Sequence, residues 1–335
     1  MSFKWTLNEL HLDLKFNWNI SRNSSSFKRN FIVILQNGKF EGRGEVAFNV
    51  RYNESFELIQ SKFEEFKQES STVDFNSVES LISFLDKGDY PQSLKFGLEC
   101  AFVDYLSRLA GKSVQQYLSV NTVSSVKTSF SIPIMEESLV ADFIRDHHLD
   151  RFHVLKLKVN KENALSLTEL VLKHFTGLVR VDANESFDHH EEVLHYLNSL
   201  SDVSRLEFLE QPLKASAHEE QLLLKSKTKV ILIADESVTS ESVTDFYQER
   251  FDGINIKLMK AGGYVKALKQ LRQAKVLGLK VMLGCMVESS LGISAALNIA
   301  SGFDYFDLDG FLLLKEDPYH ILTEENGKVF YSFIQ

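Results

Sequence analysis

Three short runs decide the fold: VRVDAN at 179–184, LEFLEQP at 206–212 and LIADES at 232–237. Each is apolar and strand-like, and each closes on a carboxylate, Asp182, Glu210 and Asp235. Lysines flank the set at Lys158 and Lys257. The steps from Asp182 to Glu210, to Asp235 and to Lys257 are 28, 25 and 22 residues, about one strand plus one helix plus loops each time. Successive barrel strands would thus deliver one residue apiece to a common rim, which predicts a divalent-metal site with two bases.

Working outward, the same texture extends from about residue 126 as VKTSFSI, HVLKLKV, GLVRVDA, RLEFLE, KVILIAD, GINIKL, KVMLGC and YFDLDG, eight strand candidates separated by helical segments. Strand–helix alternation on this period is the signature of a parallel α/β fold, and eight repeats predict a (β/α)-barrel. The amino-terminal third reads differently. Residues 5–17 and 30–37 alternate like half-buried strands, Gly42 and Gly44 suggest a turn, and EVAFNV suggests a further strand. Helical spacing follows in SFELIQSKFEEFKQ and from Ser93 to Leu118, with Gly111 as an interruption. The expected organisation is an α+β domain over 1–122, a barrel over 123–314 and a tail over 315–335 that returns to the cap.

The 335 residues carry 44% hydrophobic and 25% charged content, enough for a large core and more than one compact unit. A net charge of -9 argues against nucleic acid and anionic membrane as partners, since both are polyanions. A small molecule is the expected partner, and a homo-oligomer stays open. The only cysteines, Cys100 and Cys285, have neither disulfide nor zinc spacing, which suits a reducing cytoplasm. The amino terminus alternates like a strand and lacks the pattern of a signal peptide, and no apolar run reaches the ~20 residues of a membrane span.

In VLKLKV, alternation puts Lys156 and Lys158 on the face opposite Leu155 and Leu157. The leucines belong under the helices, so the lysines point into the barrel, where an ammonium must be paired or used. Lys158 is nearer the chemically active end of its strand. Oxygen-only ligands at Asp182, Glu210 and Asp235 select a hard cation such as Mg2+. Any one of these acids could merely cap the helix after it, but three of them beside two inward lysines favour the metal. Lys257 faces the site from across the mouth, so one lysine can remove a proton from a carbon while the other returns it to the opposite face. A nearby cation and a second lysine would lower both lysine pKa values toward neutrality. Lys260, in MKAGGY, reads as a solvated loop charge or a helper. Asp307 and Asp309 share one face of the last strand and call for a cation, for which a substrate ammonium is suited. Cys285 reads as packed near the site rather than as a nucleophile, because no histidine is placed to activate it.

These residues resemble the enolase superfamily in its muconate-lactonising-enzyme-like subgroup, and within it the dipeptide epimerases of the L-Ala-D/L-Glu type. The resemblance spans nearly the whole chain: KxK at Lys156 and Lys158, VDANESF, LEQP, ADES, NIKLMKAGG, GCMVESSLG around Cys285, and DxD at Asp307 and Asp309. It implies a (β/α)7β modified TIM barrel with an α+β capping domain. It further implies Mg2+ on Asp182, Glu210 and Asp235, and Lys158 and Lys257 as paired acid/base residues in a 1,1-proton transfer through a metal-stabilised enolate. Asp307 and Asp309 would hold the ammonium of a dipeptide substrate. Lys156 is counted with the substrate-binding residues, and Ser131 looks like a further substrate contact. Capping loops would fall at about 20–27 and 49–53, where Arg22, with Arg51 as its competitor, would meet a substrate carboxylate. Two other outcomes stay open on this scaffold: a lyase or isomerase of the o-succinylbenzoate or muconate type, which would leave the DxD pair unused, and a noncatalytic binding protein.

Overall fold

The computed structural model describes residues 3–20 and 23–332. The chain opens with three antiparallel strands, β1 (Lys4–Ile20), β2 (Asn23–Asn37) and β3 (Phe40–Val46). Three helices follow, α1 (Phe56–Glu69), α2 (Val78–Leu85) and α3 (Gln92–Leu109). The alternation that reads as two strands is therefore a long hairpin, paired from Lys4↔Gln36 to Ile20↔Asn23 with a register shift between Asp13 and Trp18. Most of the segment expected as a capping loop at 20–27 belongs to this hairpin: Ser25 pairs with Trp18 and Ser24 with Asn19. Arg22 lies outside the described residues.

Gly42 and Gly44 do not make a turn. They sit inside β3, and the turn is made by Gly38 at φ +62. Their role is close approach: a Cβ on Gly44 would stand 2.1 Å from the Gly97 carbonyl oxygen, and one on Gly42 would stand 2.0 Å from that of Ala101. Both atoms are backbone of α3, which is buried along most of its length. Gly44→Ala must push the helix off the sheet, so unfolding free energy in urea should fall by more than about 2 kcal/mol, toward the upper end of overpacking costs. Gly38→Ala meets no neighbour and should cost about 1–2 kcal/mol, the strain of a left-handed residue.

The eight expected barrel strands all form, and they line up in chain order. They are β5 (Phe130–Ile132), β6 (Val154–Lys158), β7 (Leu178–Asp182), β8 (Leu206–Glu210), β9 (Leu232–Ala234), β10 (Gly253–Lys257), β11 (Lys280–Gly284) and β12 (Tyr305–Asp307). Every registered pairing among them is parallel. The run VKTSFSI is split, because Ser125–Lys127 forms β4 in another sheet. Between β4 and β5 the chain closes the barrel with polar contacts: the Ser129 amide donates to the Phe306 carbonyl at 3.3 Å, and Thr128 Oγ1 accepts from the Leu308 amide at 2.8 Å.

The tail makes β13 (Leu322–Glu325) and β14 (Lys328–Tyr331), and β14 pairs with β4. The tail meets the cap where the Lys315 amide donates to the Asp13 carbonyl at 2.8 Å, next to the bridge Leu14↔Leu314, and where Tyr319 and Ile321 line a cavity with Arg43 and Asp104. Cap and barrel are also joined through α3: Glu99 Oε1 accepts the Val265 amide at 3.0 Å, and Cys100 Sγ lies 3.4 Å from Tyr264 Oη. Among the described residues no helix is long and apolar enough to cross a membrane.

Candidate active site

The carboxyl ends of β6 through β10 converge on one buried group of charges. Asp182, Glu210 and Asp235 bring a carboxylate oxygen apiece to within 4.8 Å of one another. Lys156 is fully buried beneath them, with its ammonium 2.7 Å from Glu210 Oε2, 2.7 Å from Asp307 Oδ2 and 3.1 Å from Asp182 Oδ2. It is not among the side chains that line the cavity above. The Lys158 ammonium sits 2.5 Å from Asp182 Oδ2, and that of Lys257 is 2.8 Å from Asp235 Oδ2. In an eight-stranded barrel, β6 and β10 stand four places apart, on opposite sides of the mouth.

The donor set fits a hard divalent cation. It offers three buried carboxylates and no sulfur or imidazole. Glu210 Oε2 is close to Lys156 but out of hydrogen-bonding alignment, so this buried oxygen has no donor. Burial, and then the charge of Asp182, push the Glu210 carboxyl up to about 7, with Lys156 opposing the rise only in part. For Asp235 burial acts upward, but Lys257 and Lys260 outweigh it and hold the carboxyl well below the usual range. Burial likewise lowers the Lys257 ammonium, yet Asp235 prevails and raises it. A second lysine, Lys156, acts downward on it as the sequence reading expects of a neighbouring ammonium, but the Asp235 carboxylate outweighs it.

Lys260 is neither solvated nor in a loop. It occupies a short helix, Leu258–Ala261, and its buried ammonium reaches Asp235 Oδ1 at 2.6 Å, the Asp235 carbonyl at 2.5 Å and the Asn255 carbonyl at 3.2 Å. Asn255, which sequence reasoning missed, donates from Nδ2 to Glu210 Oε1 at 2.8 Å. Its signal was available: Asn255 precedes Lys257 by two, as Lys156 precedes Lys158, so both pairs point inward from their strands.

On the far wall, Asp307 is already engaged. Oδ2 meets Lys156, and Oδ1 accepts Ser129 Oγ at 2.8 Å and Ser131 Oγ at 3.5 Å. Asp309 Oδ2 accepts the Ser131 amide at 2.6 Å, and the Ser131 hydroxyl also bonds its carboxylate. Burial and the neighbouring Asp307 raise the Asp309 carboxyl to about 7. Ser131 lines the cavity, as expected. Arg51 lines it too, but its guanidinium is held by Glu185 through two 2.9 Å bonds. Cys285 lies at the cavity wall with its thiol driven well above the ordinary value by burial and by Asp309, which suits packing rather than attack.

A barrel whose strand ends gather three carboxylates between two lysines defines a class, and the comparisons agree with it. The family model described as enolase C-terminal domain-like matches residues 139–326, and the chain belongs to that family. An L-Ala-D/L-amino acid epimerase of Maribacter sp. is 34% identical over 313 residues, 93% of this chain and 91% of the relative. A relative of the same name from Flavobacterium johnsoniae is 31% identical over 338 residues, 98% and 97% of the two chains. The solved dipeptide epimerase of Enterococcus faecalis, complexed with Mg and L-Leu-L-Tyr, superposes with a TM-score of 0.88 at 23% identity, over 99% of this chain and 98% of that one, which speaks for the fold.

Proposed function

We propose that this chain is a dipeptide epimerase that inverts the α-carbon of the second residue. The observation that carries this reading is the pair Lys158 and Lys257, on opposite strands of one mouth with three carboxylates between them. Two amines on opposite sides of one carbon can remove its proton from one face and restore it on the other, which is epimerisation and not elimination. The relatives at 34% and 31% identity bear the name of L-Ala-D/L-amino acid epimerases, in support.

Asp182, Glu210 and Asp235 would hold Mg2+, which when bound supplies positive charge beside the substrate's terminal carboxylate as negative charge builds on it. A lysine base working beside Mg2+ is the general strategy of the enolase superfamily, and it comes to this chain through membership of that family. Lys156 would hold Asp182, Glu210 and Asp307 together from below. Asn255 and Lys260 would fix the orientations of Glu210 and Asp235. Lys158 and Lys257 would exchange the roles of base and acid with the direction of reaction. Asp309 would receive the substrate ammonium, with Ser131 setting its position. We further propose a cap over 1–122, a barrel over 123–314 and a separate tail, working in the cytoplasm, where two free thiols are stable.

Incubating the Mg2+-treated enzyme with L,L-dipeptides in D2O should give deuterium uptake at the second α-carbon together with inversion, read by mass spectrometry and polarimetry. Chelation should abolish both, and added Mg2+ should restore them. No uptake across a broad dipeptide library, with water released from a hydroxy acid instead, would turn the reading to a lyase.

A further inference from the structure

Two neighbouring helices of the outer ring, His190–Ser199 and His218–Lys227, hold a charged relay that the active site does not use. None of its residues lines the active-site cavity. At its centre is His190, buried at the start of its helix. Its Nε2 lies 2.8 Å from the Lys227 ammonium, and its Nδ1 lies 2.8 Å from Glu220 Oε2 and 3.1 Å from Glu191 Oε2. The His190 amide donates to the same Glu220 oxygen at 2.7 Å.

These contacts fix the hydrogen on the ring. A lysine ammonium can only donate, so Nε2 accepts from Lys227, and the neutral imidazole carries its hydrogen on Nδ1, aimed at Glu220. His190, Glu191 and Glu220 are close enough together to share a metal ion, but a hydrogen on Nδ1 leaves that nitrogen no lone pair for one. The His190 amide, and then its ring, hold the Glu220 carboxyl below the usual range, so it stays ionised.

Lys227 ends its helix on the exposed surface. Nearby lysines spend their charge on carboxylates: Lys161 and Lys214 share Asp188, at 2.7 and 3.1 Å, and Lys225 is paired with Asp252. Lys227 has no carboxylate among the described residues, and the partner of its ammonium is an imidazole. A nucleophile bonded to a base, with the base oriented by a third group, is an activated nucleophile. Lys229, exposed two residues further on, adds positive charge that favours an anionic reagent. We propose that Lys227 is an acylation site for small acyl phosphates, with His190 as its base and Glu220 holding that base in place.

In the step, His190 Nε2 takes one proton from the ammonium, and the freed nitrogen lone pair attacks the acyl carbon. The carbon–oxygen bond to phosphate breaks, and phosphate leaves with that electron pair. The nitrogen gives a second proton to the departing phosphate and becomes an amide, while His190 returns its own proton to water. Glu220 stabilises the imidazolium in between.

Wild type and variants should be incubated with acetyl phosphate and digested at glutamate, and acetylation of each lysine followed over time by mass spectrometry. In wild type, Lys227 should react about 10-fold or more faster than Lys161 and Lys214, a fraction of what a well-placed base can supply. His190→Gln should bring Lys227 down to the rate of those two lysines. Glu220→Gln, which keeps an acceptor but removes the charge, should slow it several-fold, and neither variant should change Lys161 or Lys214. A wild type in which Lys227 has no lead over them, or either variant in which that lead persists in full, overturns the assignment. Glu220 is partly exposed, so its replacement decides the question if loss of the buried ring costs the fold.

Discussion

Lys158→Ala and Lys257→Ala should each stop interconversion of the two epimers, lowering kcat by about 10³-fold, and yet each should still exchange the α-proton of one epimer with solvent. The asymmetry follows from the geometry. The lysines stand on β6 and β10, across the mouth from each other, so each can reach one face of a carbon held between them. With one lysine gone, the other still removes and returns a proton on its own side. The two variants must therefore be complementary: the epimer that labels with deuterium in one is the epimer that stays unlabelled in the other. Incubating each pure diastereomer in D2O, followed by mass spectrometry and separation of the diastereomers, reads this directly. Two variants that label the same epimer would show that the lysines do not face each other across the carbon.

The surviving half-reaction also serves as a control for folding. Each lysine is paired with a buried carboxylate, Asp182 or Asp235, and removing one member of a buried pair costs about 3–5 kcal/mol. A variant that has lost activity by unfolding loses exchange on both epimers and melts early. One that has lost only its base keeps exchange on one face.

What the sequence reveals and what it hides divide along a physical line. A barrel strand carries its own directions: alternation says which residues face inward, and the carboxyl end says which of those meet the solvent mouth. Lys158, Asp182, Glu210, Asp235 and Lys257 are legible on those two rules because each follows from its own strand. The corrections arise wherever a second element decides. Gly42 and Gly44 resemble a turn until α3 is laid against β3, when their missing side chains become the contact. Lys260 reads as solvated because nothing near it in sequence announces that its ammonium will bond to Asp235, 25 residues earlier. Arg51 looks like a free substrate ligand because Glu185, its partner, is 134 residues away. The helix α2 went unread because its signal is short, eight residues introduced by the reciprocal Ser77 and Ser80 cap.

Asp309→Asn should lower kcat/KM on free dipeptides by about 10²-fold or more, the loss of an ionic hydrogen-bonding partner for a desolvated ammonium. Asp309, not Asp307, carries the sharper test, and the reason lies in their partners. Asp307 spends one oxygen on Lys156 and the other on Ser129 and Ser131, so Asp307→Asn disturbs the charge beneath the three carboxylates whatever the substrate. Asp309 is bonded by Ser131, through its amide and its hydroxyl, carries no lysine among the described residues, and faces the cavity. Its replacement therefore isolates the contact with substrate. The informative comparison is L-Ala-L-Glu against its N-acetyl derivative, which has no ammonium to hold. The wild type should strongly prefer the free dipeptide, and Asp309→Asn should remove most of that preference, because the neutral amide no longer rewards a positive charge. If the variant instead loses equal activity on both compounds, Asp309 supports the wall of the cavity and does not read the amino terminus. An enzyme that prefers acylated substrates from the outset would place the ammonium elsewhere, and the two aspartates would then serve only to hold Lys156 and β5 in register.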